Sequence, residues 1–322
     1  MTRPPLADPG GPRGFFEAVR HVVSGSAEEL ASLLDAEPAL VHARSTAAVV
    51  PYDGYFHGAT LLHHVAGNPL IRPVSDGAPQ ALVALLERGA EVDAATRAGP
   101  SQPDDVGWTT LGLVATSAAA RQAGVQRTLM DRLLAAGADP DARGGGTLMG
   151  ALFYGESAAA EHLAASGATL DLVAASGVGR VDAMMPWLER LAAEGPAGVA
   201  DGRALVHYSQ VRWPDHAPPA ERGRHVLGMA LTYAALHGRL AALDLLLEAG
   251  ADPNHRAPFQ HGATPLHWAA MGDAPAAVER LLAAGADPEA RDDEFESTPL
   301  GWALHLGRPR AAAVLRGPTT RA

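Results

Sequence analysis

The chain contains no cysteine and no lysine. The first absence excludes disulfides, thiolate metal sites and cysteine nucleophiles. The second excludes a Walker phosphate loop and any enzyme that works through a lysine Schiff base. All 25 basic residues are therefore arginine, and together with the abundance of Ala, Gly and Pro this is the residue usage of a GC-rich bacterial genome. Aromatic residues make up only 5%, so a core has to be assembled from Ala, Leu and Val, whose small bulk suits closely packed helices. No apolar run approaches the roughly 20 residues that a membrane-spanning helix needs. Met1 to Gly14 holds four prolines and no hydrophobic segment. It reads as a floppy lead-in and not as a signal peptide, which makes a cytoplasmic location the expectation.

The 322 residues are 47% hydrophobic, enough apolar material for one large or two moderate folded units. Against 36 acidic residues the arginines leave a formal charge of −11. Such a surface repels phosphate backbones and anionic membranes, so neither is expected as a partner, whereas a basic protein would be attracted.

A repeat organises this composition. The mark Gly-Ala followed by an acid or polar residue recurs after leucine-rich stretches, at Gly89-Ala90-Glu91, Gly137-Ala138-Asp139, Gly167-Ala168-Thr169, Gly250-Ala251-Asp252 and Gly285-Ala286-Asp287. The clearest complete unit opens Gly262-Ala263-Thr264-Pro265-Leu266-His267-Trp268-Ala269-Ala270, and the next restarts at Ser297-Thr298-Pro299-Leu300. Thr264 suits a helix cap, and Pro265 then falls at the first helical position, where a missing N–H costs nothing. Leu266, Ala269 and Ala270 predict the buried stripe of a short inner helix. Val278, Leu281 and Leu282 predict the apolar face of a second helix, ended by Gly285 as a left-handed cap.

The Thr-Pro-Leu-His opening paired with Gly-Ala-Asp resembles the ankyrin repeat, and the chain is similar to bacterial members of that family. The resemblance runs from Phe15 to Leu315 and is tight from Met229 onward. It implies an all-α ankyrin-repeat solenoid of about seven to eight helix-turn-helix units with short β-hairpin-like loops. The expected organisation is a flexible N-terminus at 1–13, N-terminal repeats with long loops at 14–193, an irregular insertion at 194–226 and C-terminal repeats at 227–318.

Several residues invite chemistry. His63 and His267 occupy the repeat's own histidine position, where backbone hydrogen bonding is the expected role. His64 falls in a column otherwise filled by Leu113, Tyr233, Trp268 and Trp302, and is read as a core residue or as one wall of a pocket. His57 lies in the aromatic loop 51–58, whose Tyr52, Tyr55 and Phe56 suit either recognition or a cap folded over the second unit. His57 with His63 or His64 is weak metal-binding material, because no HExxH motif or carboxylate set accompanies it; no metal and no cofactor is expected. Gly177 to Asp182 faintly resembles a dinucleotide loop but aligns with the turns at Gly238-Arg239 and Gly307-Arg308. The acidic run Asp292-Asp293-Glu294-Phe295-Glu296 reads as a solvated loop tip. Trp268 and Trp302 read as a core ladder.

Together these features point to a monomeric, non-enzymatic scaffold that holds a protein partner, basic in charge, on inner helices and loops. The candidate contact residues are Tyr52, Tyr55, His57, Trp108, Phe259, His261, Glu294 and Phe295. The alternative is a small-molecule binder or enzyme, with a pocket between the lengthened second and third units and the 195–224 stretch, lined by Tyr52, His57, His64 and Trp108.

Overall fold

The computed structural model describes residues 8–49, 52–67, 74–101, 107–142, 146–201, 217–256 and 261–317. Among them the regular structure is helical, with no β-strand beyond two isolated bridges, Arg44 with Thr60 and Ala95 with Thr109. The chain divides into two compact units, Met1–Ala151 with Ala165–Ala168, and Leu152–Ala164 with Thr169–Ala322.

The first unit contains α1 (Phe15–Ser24), α2 (Ala27–Ala36), a 3-10 helix at Leu62–Ala66, α3 (Ala78–Glu87), α4 (Thr110–Ala115), α5 (Ala118–Gln122) and α6 (Gln126–Ala135). They stack in two rows. α1, the 62–66 helix and α4 pack side by side as an inner row, and α2, α3 and α6 as an outer row. Helices α7 (Gly146–Phe153) and α8 (Ser157–Ala165) are divided between the units. The second unit continues with α9 (Leu172–Val178), α10 (Val181–Glu194), α11 (Pro219–Leu236), α12 (Leu240–Glu248), α13 (Pro265–Met271), α14 (Pro275–Ala283), α15 (Pro299–His305) and α16 (Pro309–Leu315). Here α9, α11, α13 and α15 make the inner row, and α10, α12, α14 and α16 the outer one.

The two rows have different sequences because they have different solvents. Every residue of α4 and of α9 is buried, as are Pro265 to Ala270 of α13. A helix covered all round has no polar face, and the crowding between neighbours favours Ala and Gly. Outer helices keep one face in water. α14 buries Ala277, Val278 and Leu281, and α6 buries Leu129, Met130 and Leu133, the one-sided spacing of an amphipathic helix. The outer helix α14 ends at Gly285 with φ 89°, as its sequence requires.

Adjacent repeats are joined by the histidine of the Thr-Pro-Leu-His motif. His267 Nδ1 accepts from the backbone N–H of Thr264 at 3.1 Å and pairs with the Thr264 hydroxyl at 2.9 Å, while its Nε2 donates to the Ser297 carbonyl of the next repeat at 3.0 Å. His63 repeats the geometry, with Nδ1 on Thr60 at 3.0 and 2.8 Å and Nε2 on the Trp108 carbonyl at 3.0 Å. Where the motif carries glycine instead, at Gly112 and Gly301, the capping threonine accepts the glycine N–H directly, at 3.2 Å from Thr109 and from Thr298. The histidine thus serves as cap, orienter and inter-repeat tie in one residue.

Three features differ from expectation. The lead-in is docked from Asp8 onward, since Pro9 accepts hydrogen bonds from Thr46 and Ala47 at 3.0 and 2.9 Å. The stretch expected to be irregular through residue 226 is helical from Pro219, because Pro218-Pro219 opens a helix in place of the loop that precedes the other inner helices. The first part of that stretch, Gly195–Val199, is a 3-10 helix packed against α10 and α11; residues 202–216 lie outside the described ones.

Replacing His267 by Ala removes the tie and leaves the Thr264 N–H and the Ser297 carbonyl unpaired in a buried setting. We expect a loss of about 2–4 kcal/mol in urea unfolding, from orphaned buried groups and lost packing; a loss below about 0.5 kcal/mol would show that the tie carries no weight.

Candidate functional site

The aromatic loop at residues 52–58 folds inward. Tyr52 and Phe56 are each only 2% exposed. The Tyr52 hydroxyl meets His64 Nε2 at 3.1 Å, and His64 Nδ1 donates to the Thr60 carbonyl at 2.8 Å, so both ring nitrogens are used. Phe56 stands edge-on to His64, with ring centroids 5.0 Å apart. His57 Nδ1 donates to the Tyr52 carbonyl at 2.8 Å, and its own carbonyl accepts from Arg97 N–H at 2.7 Å. Trp108 is buried beside Gly112 and Gly150.

Tyr52 and Trp108, expected as partner contacts, therefore present no surface to a partner, and Tyr55 and His57 are half-buried. The physical reason is economy of apolar bulk. In a chain with few aromatics, this loop supplies the rings that fill the lengthened second unit. The Tyr52 hydroxyl and both His64 ring nitrogens, expected to line a pocket, are spent on each other and on the Thr60 carbonyl, and part of the 195–224 stretch expected beside them lies outside the described residues. An open groove on this unit lies on the outer helices, between α2, α3 and α6, and none of Tyr52, His57, His64 and Trp108 lines it.

A second arrangement with catalytic appearance is also a tie. Ser157 Oγ donates to His237 Nδ1 at 2.7 Å, and His237 Nε2 donates to the Leu152 carbonyl at 2.9 Å. Burial lowers the His237 imidazole to about 4, which makes it a poor base at neutral pH.

The C-terminal loops behave differently. Among the expected residues, the structure brings His261, Glu294 and Phe295 together on two adjacent loop tips; Phe259 lies outside the described residues. The organiser is Asp292, which lies in the acidic run expected to be solvated but is only 2% exposed. Its Oδ1 accepts from the N–H groups of Glu294 and Phe295 at 3.0 and 2.6 Å, and its Oδ2 from Ser297 N–H and the Trp302 indole, both at 3.0 Å. Burial by itself would raise the Asp292 carboxyl, but the four donors, Phe295 and Trp302 foremost, outweigh it and hold the group below its ordinary value. The sequence signal was an aspartate followed by backbone donors two and three residues on, the geometry of an Asx turn.

With the tip fixed, Phe295 is 61% exposed and leans on His261, ring centroids 5.5 Å apart. His261 Nδ1 bonds Glu294, Arg256 reaches Asp293 at 2.5 Å and the Arg291 carbonyl at 2.7 Å, and Asp293 N–H donates to the His261 carbonyl at 2.7 Å. Arg256 and Asp293 were not among the expected residues. Beneath the tip, Trp302 packs against Trp268 with centroids 5.7 Å apart, the ladder the sequence predicts.

The backbone here is strained. Two residues before each capping threonine the chain turns left-handed, at Gly58, Gly107 and Gly262 with φ 64°, 81° and 60°. The last loop makes the same turn with Glu296, at φ 50°, where a side chain costs about 1–2 kcal/mol. Glu296→Gly should therefore raise stability by about 1 kcal/mol in thermal or urea unfolding; a destabilised variant would mean that the Glu296 side chain holds the loop.

Buried histidines predict the acid response. Burial lowers His63 to about 3 and His64 to about 4, with His237 at about 4 and His267 also lowered. Unfolded, each titrates near 6.5, so below that pH the unfolded chain binds more protons and stability falls as pH drops toward about 4. Near pH 5 we expect a loss of roughly 3–4 kcal/mol per pH unit from His63, His64 and His237, with His267 acting in the same direction. Denaturant unfolding between pH 7 and 4.5 checks it, and a flat profile would contradict the buried neutral rings.

A family model described as ankyrin repeats (3 copies) matches residues 231–319. The chain is also similar to the inactive serine/threonine-protein kinase TEX14 of Mus musculus, 37% identical over 86 residues. That stretch is 27% of this chain and 6% of the mouse protein, so the chain spans a small part of the curated relative it matches. No described helix is long and apolar enough to cross a membrane. Stacked two-row helix pairs and threonine caps tied by histidine to the next repeat accompany this match, and residues 231–319 carry ankyrin repeats.

Proposed function

We propose that this protein is a binding scaffold whose C-terminal repeats capture a basic polypeptide segment that carries an apolar side chain. The observation that carries this reading is Phe295, a large apolar ring held in solvent by a buried aspartate. An exposed aromatic on a preorganised tip brings contact area at low entropic cost. Asp293, Glu294 and Glu296 surround it, and the net charge of −11 steers a cationic partner toward the surface. Ankyrin repeats are in general protein-interaction modules, which supports the class of partner. A residue kept in left-handed strain where other loops use glycine fits a site selected for something besides stability.

The contact set on this reading is His261, Glu294 and Phe295, joined by Asp293, with Arg256 as a counter-ion that a partner's arginine or lysine would displace. Tyr55 and His57, half-buried on the N-terminal loop, stand outside it. Monomeric state and cytoplasmic location accompany the proposal as expectations.

Selection of a random peptide library on the full chain tests it. Enriched peptides should combine arginine or lysine with an aromatic or aliphatic residue. Their affinity should fall about tenfold or more in Phe295→Ala and should lose part of its salt dependence in Glu294→Gln, with unfolding curves unchanged. Peptides that bind Phe295→Ala as tightly as the native chain would remove the proposal.

A further inference from the structure

The two imidazoles of His225 and His255 face each other nitrogen to nitrogen. His225 Nδ1 and His255 Nε2 are 3.1 Å apart, with the rings nearly perpendicular at 83°. His225 sits in the first half of α11, the part that exceeds the inner helices α13 and α15 in length. His255 follows α12 in the turn that begins at Asp252. Both are half-buried, so the pair is reachable from solvent.

The pair is built into the helix surface. Gly228 lies one helical turn after His225, on the same face. A Cβ at Gly228 would come within 2.1 Å of Cγ and Cδ2 of His255, so only glycine lets the His255 ring lie against α11. Glycine in a helix interior costs about 1 kcal/mol relative to alanine, and here the cost creates the space in which the second ring meets the first. His63 and His267, the motif histidines, are placed differently, each with its two ring nitrogens on backbone and capping groups and neither facing a second imidazole nitrogen to nitrogen.

We propose that His225 and His255 form a two-imidazole site for a divalent transition metal such as Cu(II), Ni(II) or Zn(II). The ion takes the position of the proton shared between the nitrogens, and that proton moves by exchange with solvent to the remote nitrogen of the ring that carried it, so both imidazoles stay neutral. Metal–nitrogen bonds of about 2.0–2.1 Å across a 3.1 Å separation give an angle near 100° at the metal, between the square-planar and tetrahedral values. The nitrogens are thus already at ligand spacing, and the rings need only turn their lone pairs toward a common point. Imidazole suits these metals, and affinity should follow the order Cu(II) above Ni(II) and Zn(II). Among the described residues no group of three His, Asp or Glu side chains is placed to hold a metal, so the site proposed is the imidazole pair itself. Asp252, whose charge acts on His255, favours the cation, and Arg224, beside His225, opposes it. The site suits an exchangeable ion more than a structural one.

Titration of the full chain with CuSO4 and, separately, ZnCl2 in a non-coordinating buffer, by calorimetry and for copper by visible absorption, tests this. We expect a saturable site whose affinity falls at least tenfold in His225→Gln, in His255→Gln and in Gly228→Ala. Gly228→Ala retains both histidines and displaces only the ring packing, so it separates this site from other surface histidines. Circular dichroism without metal establishes that each variant is folded; should His255→Gln not fold, His225→Gln and Gly228→Ala decide. Equal binding in the native chain and those variants, or no saturable binding in the native chain, would overturn the proposal. Loss of the site leaves the peptide capture assigned to Phe295 untouched, so the two readings fail separately.

Discussion

A helix pair of this size cannot stand alone. Inner helices such as α4 and α9 are buried on every side and outer helices on one, and neither buries that surface without neighbouring repeats. Stability therefore resides between repeats, in contacts that must keep a fixed register. The histidine tie sets that register, because it fixes the start of one helix and the carbonyl that precedes the next with a single ring. Its tautomer is determined by its partners: the Nδ1 side faces donors, so the proton stays on Nε2 and points at the next repeat. A neutral, buried imidazole is thereby written into the fold.

Once the register is fixed, the loops become places where side chains can be held without supporting the core. The two ends use this freedom in opposite ways. The N-terminal loop turns its rings inward, and Tyr52 and Phe56 close over His64. The last loop turns its ring outward, because Asp292 satisfies the tip's backbone donors from below and leaves Phe295 leaning on His261 at the surface. The same residue type thus fills a core in one loop and offers a contact in another, according to whether a buried acceptor anchors the turn.

The long inner helix α11 shows a third use. Where its neighbours α13 and α15 are preceded by loops, this segment continues as helix, and its added turns supply His225 and the gap over Gly228. Departures from the repeat are thus where local chemistry concentrates, in keeping with the tolerance of solenoids for insertions on one face.

The repeat was legible in the residues because each landmark has a local cause: Thr264 and Thr298 cap, Pro265 and Pro299 open, Gly285 ends a helix. So was the ladder of Trp268 and Trp302, which follows from periodicity. What the residues could not reveal is which way a loop folds. Tyr52 and Phe295 have similar neighbours in the chain, acidic and glycine or glutamate, and opposite fates in space. Asp292 and Asp293 are adjacent and chemically identical, yet one is buried under four donors and the other exposed. His225 and His255 are 30 positions apart, and only the packing of α11 against the following turn brings them together. Periodic burial and capping act over one or two helical turns and so are encoded locally; the direction of a loop is decided by which distant backbone donors remain unpaired, and that exists only once the repeats have stacked.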